Sequence, residues 1–296
     1  MPIEQGSRIK LIRREGEAFS FKVVDADTGR ELSESEVRAR MPQQAAISPV
    51  GAAKALKPKA LVAPPLRVCG EGDSWINLLN PLSGFPKTFF DLLGKSFSTD
   101  NIGFPGHTFE RVLNDAQYVQ KLQSGQFRVL VFSGGGNDIL GGGGLASLLK
   151  KKSQGAGSAN PADYVSASAL KSVLKRLGDG YRLVAKQAKT AEKNILMLTH
   201  GYDYAIPRKN GKWLGTPLKD AGFAHDEPLS PKIIAFLVDQ FNELLKSIDA
   251  EFAHVRHVNV RNTVKTLWHD ELHPTAEGAK KVSKLFEAEI NRLLIS

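Results

Sequence analysis

From residue 66 onward, apolar positions alternate between short continuous runs and longer stretches with a single apolar face, a rhythm that predicts strands and helices taking turns. LRVCG reads as a first strand. KTFFDLLG follows as a short helix closed by Gly94, and FSTDNIGF as a strand. Phe109, Val112, Leu113, Ala116, Val119 and Leu122 fall at helical spacing before Gly125. FRVLVFS has the unbroken apolar run of a central parallel strand. After Pro161, Val165, Ala169, Val173, Leu177, Val184 and Ala188 trace a long helix with an interruption at Gly178 or Gly180, and NILMLT a strand. Ser230-Pro231 starts a helix carrying Ile234, Leu237, Phe241, Leu244, Ile248 and Phe252 on one face; HVRHVNV is the last strand, and a final helix begins about Pro274 or Thr275.

Other segments break this rhythm. Residues 8 to 25 carry two short strand signals, RIKLIRR and AFSFKVVD, with turn chemistry just after them at Asp27-Thr28-Gly29; the charged stretch LSESEVRARM follows. Residues 42 to 65 shift to Ala, Pro and Lys, a linker composition. Residues 141 to 160 are rich in Gly, Ser and Lys and read as a mobile loop. The organisation is therefore a small N-terminal appendage at 1–41 in the form of a β-hairpin, a linker at 42–65, and one main domain at 66–296. Alternating strands and helices imply an α/β class, a three-layer sandwich with a mostly parallel sheet, because each parallel connection needs a crossover. Such sheets place reactive groups just after the carboxyl ends of their strands.

Composition narrows the function classes. The 296 residues, 42% of them hydrophobic, suffice for one sizeable core. A net charge of +9 raises nucleic-acid binding, but the basic residues are scattered. The densest run, Lys150-Lys151-Lys152, lacks aromatic neighbours for base stacking, so no specific nucleic-acid partner is expected. No apolar run reaches the roughly 18 residues of a transmembrane helix, and no signal peptide is evident. A single cysteine, Cys69, sits in an apolar strand as an inert thiol and suits the reducing cytoplasm.

Four segments meet the requirement for chemistry after strands: Gly72-Asp73-Ser74, Asn101-Ile102-Gly103-Phe104-Pro105-Gly106-His107-Thr108, Gly135-Gly136-Asn137-Asp138, and Asp270-Glu271-Leu272-His273. Together, and in this order, they resemble the SGNH hydrolases, the GDSL-type esterases and lipases, over about residues 66 to 294. The resemblance implies a flavodoxin-like, five-stranded sheet and hydrolysis of small acyl esters without a cofactor.

The chemistry asks for the same residue types. A serine hydroxyl is a poor nucleophile near neutral pH, so Ser74 needs a base, which His273 supplies; Asp270 fixes the imidazole tautomer. By resemblance, the oxyanion formed on attack is held by the backbone N–H groups of Ser74 and Gly106 and the side-chain amide of Asn137. Gly103 competes with Gly106 as the residue that turns its loop. Asp73 reads as an acceptor for loop amides and Asp138 as a brace. Trp75 stands where the family has leucine, and with His200 and Tyr202 it is a candidate for lining the substrate pocket, as is Asp203.

His269-Asp270-Glu271-Leu272-His273 imitates the zinc signature H-E-x-x-H, but aspartate replaces the glutamate and Pro274 starts a helix there, so no metal site is expected. The glycine tract at 141 to 144 lacks a phosphate-loop pattern. His254 and His257 are surface or packing residues. Three alternatives stay open: the same site acting on carbohydrate acetyl groups or as an acyltransferase, a binding module with a vestigial site, and a basic N-terminal region docking to an acidic partner. Oligomeric state is not legible.

Overall fold

The computed structural model describes residues 9–13, 21–41, 66–80, 82–141 and 143–295. The linker expected at 42–65 lies outside the described residues, as does the segment joining the first two strands. Strands β1 (Ile9–Arg13) and β2 (Phe21–Asp25) pair antiparallel, Ile9 opposite Asp25. The Asp25 carboxylate then accepts the N–H groups of Asp27 and Thr28, which closes the turn. The charged stretch after it is helical: α1 (Glu34–Arg40) starts on a capping box in which Ser33 and Glu36 satisfy each other's N–H groups, leaving Val37 as its one buried side chain.

The main domain runs β3 (Arg67–Gly72), α2 (Phe89–Leu93), β4 (Ser98–Asn101), α3 (Phe109–Asp115), α4 (Gln117–Gln123), β5 (Val129–Ser133), α5 (Gly136–Ile139) and α6 (Gly144–Leu148), followed by two short 3-10 turns, Lys152–Gly155 and Pro161–Tyr164. It continues through α7 (Ala167–Ala191), β6 (Leu196–Thr199), α8 (Gly215–Asp220), α9 (Leu229–Glu251), β7 (Val255–His257) and α10 (Ala276–Ile295). The sheet order is β4-β3-β5-β6-β7 with all pairs parallel. β5 lies at its centre and every residue is buried, which is why FRVLVFS shows no alternation.

Right-handed crossovers in opposite directions along the sheet put helices on both faces. Phe89 of α2 stacks on Phe286 of α10 at 4.5 Å in one layer, and Phe109 of α3 on Tyr181 of α7 at 4.9 Å in the other. The direction reverses between β3 and β5. The crevice beyond their carboxyl ends is where open α/β sheets bind ligands.

Three expectations are corrected. The helix read over 109 to 122 is two helices, broken at Ala116 in the left-handed region (φ 43°). α7 runs uninterrupted, because its glycines serve packing: a Cβ on Gly180 would lie 2.2 Å from the Phe109 ring. The segment read as a mobile loop over 141 to 160 is built as structure over its described residues 143 to 160, since Leu145 and Leu148 of α6 are fully buried and Gly155 packs under Tyr164. Two apolar side chains three positions apart outweigh the polar composition around them.

The appendage shares a core with the main domain. Ile9, Val23, Leu32 and Val37 are buried against Leu79, Leu82 and Phe104, the last in the loop after β4.

Candidate active site

Ser74 follows β3 and His273 precedes α10, yet Ser74 Oγ and His273 Nε2 are 2.8 Å apart. His273 Nδ1 is 2.7 Å from Asp270 Oδ2, and Asp270 Oδ1 accepts the N–H groups of Leu272 and His273 at 2.8 Å each. Burial pushes the Asp270 carboxyl up, but the hydrogen bond and charge of His273, with those two N–H groups, hold it at about 2. An ionised Asp270 takes its hydrogen bond from Nδ1–H. Nε2 is thereby left with a lone pair facing the serine hydroxyl.

The expected oxyanion donors have free capacity. Among the described residues, the N–H groups of Ser74 and Gly106 have no hydrogen-bond partner, whereas those on either side of Ser74 are used: Asp73 N–H donates to Ser133 O and Trp75 N–H to Asp73 Oδ1. Gly106 adopts φ 81°, open to glycine at little cost. Gly103, its competitor, has already committed its N–H to Gly70 O and Asn101 Oδ1. Asn137 Nδ2 donates to His107 O at 3.1 Å, and its second hydrogen is available. Asp138 braces this region by an ion pair with Arg176 at 2.8 Å and by accepting Phe109 N–H.

A second serine, histidine and aspartate lie close by. Ser133 Oγ donates to Asp73 Oδ1 at 3.1 Å and lies 2.9 Å from His200 Nε2, while Tyr202 OH donates to Asp73 Oδ2. The polarity is wrong for catalysis. Tyr202 N–H donates to His200 Nδ1, so Nε2 carries the hydrogen and donates to Ser133 instead of taking its proton. Ser133 and His200 are also wholly buried, and desolvation, then the charge of His257, lowers His200 to about 3. This network is a structural support under the Ser74 turn. His200 is therefore corrected from the pocket-lining role expected of it: it packs behind Trp75, ring centroids 5.1 Å apart, with no surface to offer a ligand.

Trp75 and Tyr202 do line a cavity, together with Asp73, Ser74, Asn137 and Asp203, and so do Leu140, Trp268 and Leu272, which the sequence did not single out. Asp203 also accepts the N–H groups of Asn262, Thr263 and Val264, fixing the loop after β7. Glu271 was missed altogether. Its buried carboxylate accepts four N–H groups, from Arg208, Trp213, Leu214 and Gly215, and ties the 208–215 segment to the His273 loop. The one signal for it was a charged residue between Asp270 and His273. His254 Nε2 is 2.9 Å from Ala185 O, a packing role.

Neither a protein-family profile nor a curated protein matches the sequence. Solved structures do match. A phospholipase A1 from Streptomyces albidoflavus NA297 superposes with a TM-score of 0.53 at 15% identity, covering 76% of this chain and 99% of that one. An extracellular lipase from Streptomyces rimosus gives 0.52 at 15% identity, over 75% of this chain and 99% of that one. The chain shares the three-layer α/β fold of these two structures. Each of these superpositions leaves about a quarter of this chain uncovered. No helix among the described residues is long and apolar enough to cross a membrane.

Proposed function

We propose that the chain is a serine hydrolase of carboxylic esters, with Ser74 as nucleophile, His273 as general base and acid, and Asp270 as its orienting partner. The observation that carries this reading is the continuous contact from Asp270 through His273 to the Ser74 hydroxyl, beside two unpaired N–H groups. As Ser74 Oγ attacks the acyl carbon, its proton passes to His273 Nε2, and the carbonyl oxygen gains the negative charge. The N–H groups of Ser74 and Gly106 and the Asn137 amide meet that charge; losing one such donor typically costs about 100-fold to 1000-fold in rate. The intermediate then breaks its bond to the alcohol, which leaves with the proton from His273. Water repeats the sequence on the acyl-enzyme and releases the acid.

Reaction with a fluorophosphonate probe and hydrolysis of p-nitrophenyl acetate test the reading. The native protein should be labelled and active and Ser74→Ala should be neither, with unchanged circular dichroism; full activity in Ser74→Ala would reject it.

A further inference from the structure

The cavity beside Ser74 carries information about the acyl group. We propose that the site is built for short acyl groups of acetyl size, an inference that rests on Ser74 being the nucleophile. The cavity touches both Ser74 and Asn137, so a carbonyl held between them directs its acyl substituent into it. Its other walls are mainly apolar, Trp75, Leu140, Trp268 and Leu272, which suits an alkyl group better than a polar alcohol. The volume is about 20 Å³. That is the space open to the centre of a water-sized sphere, so the enclosed part admits a methyl group with little room beyond it.

The walls are pinned. Trp75 Nε1–H donates to Leu272 O at 2.9 Å, and Trp268 Nε1–H to Lys265 O at 2.8 Å. Tyr202 is held by Asp73 through its hydroxyl and by a left-handed backbone at φ 65°, and its ring lies so close over Gly136 that a Cβ there would be 2.6 Å from Cζ. Moving any of these three rings aside for more methylenes therefore means breaking a hydrogen bond as well as disturbing packed neighbours. On the His273 side a second cavity touching Ser74 and Trp75 is smaller still, about 10 Å³.

The test is kcat/KM for p-nitrophenyl acetate, butyrate and octanoate, alongside fluorophosphonate labelling. Acetate should exceed octanoate by at least about 100-fold, since a single misplaced methylene changes discrimination by about 10-fold to 200-fold. Trp268→Leu and Leu140→Ala, two independent enlargements, should each move the ratio toward the longer esters by at least about tenfold. A native protein that is labelled yet hydrolyses octanoate as well as acetate overturns the size limit and leaves the nucleophile in place; so do variants that fold but keep the native ratio. A native protein that is neither labelled nor active overturns both.

Discussion

Glu34 Oε2 of the appendage lies 3.2 Å from His107 Nε2, immediately beside Gly106. The same carboxylate takes hydrogen bonds from Arg38 and Arg111, and Arg38 in turn donates to Ile102 O at 2.8 Å. Burial opposes charge on Glu34, yet the bonds from His107 and Arg38 hold it down at about 2. Since His107 O also receives the Asn137 amide, α1 bears on two of the three proposed oxyanion donors from outside the site.

Glu34→Ala should therefore lower kcat for p-nitrophenyl acetate by about tenfold, less than the loss of a whole donor, with KM within about twofold. Steady-state kinetics with a melting curve decide it. A lower melting temperature with native kcat would mean that the contact serves stability alone.

Asp270→Asn should cut kcat by about 1000-fold to 10,000-fold while leaving the fold intact. An amide there can donate to Nδ1, which transfers the hydrogen to Nε2 and removes the lone pair that takes the serine proton. Esterase assays and probe labelling should fall together.

Ser133→Ala separates the two serine, histidine and aspartate sets. It leaves the Asp73 and His200 groups short of a partner, and a loss of about 1–3 kcal/mol in urea denaturation is expected. Labelling of the folded variant at Ser74 should persist. Loss of labelling there would shift the chemistry to the buried set.

Stability should peak near pH 6.5. Burial lowers His200 to about 3 and His257 to about 4 from an ordinary 6.5, so as pH falls below 6.5 the unfolded chain takes up protons first and stability declines. Burial raises Glu71 from 4.5 to about 8, so the folded chain keeps a proton that the unfolded chain releases; that contribution, full below 4.5, is lost as pH rises toward 8. Each group contributes up to about 1.4 kcal/mol per pH unit within its window, so the two histidines outweigh Glu71 below 6.5, and above it the loss of the Glu71 contribution goes unopposed by them. Glu71→Gln should flatten the alkaline decline in urea midpoints and steepen the acid slope between pH 4.5 and 6.5, where Glu71 opposes the histidines. A decline that survives the substitution would assign it elsewhere.

What the sequence disclosed follows from what each feature requires. Ser74, Asn137, Asp270 and His273 stood out because few residue types suit the roles proposed for them; Ser74 and Asn137 lie just after β3 and β5, while Asp270 and His273 lie well beyond the end of β7. The sheet was legible from β5, whose burial on both faces forbids alternation. Other features depend on distant partners. Gly180 looks like a helix breaker until Phe109 is placed against it, and the left-handed Ala116 has no compositional mark. Little marks Glu34 and Glu271 in the sequence, because His107 lies 73 positions from the one and Arg208 63 from the other.

The Glu271 tether couples two parts of the molecule mechanically. One carboxylate grips four amides of the 208–215 segment while its neighbours in the chain position the imidazole. The 208–215 segment and the loop that carries His273 are thus held together as one piece through a single side chain.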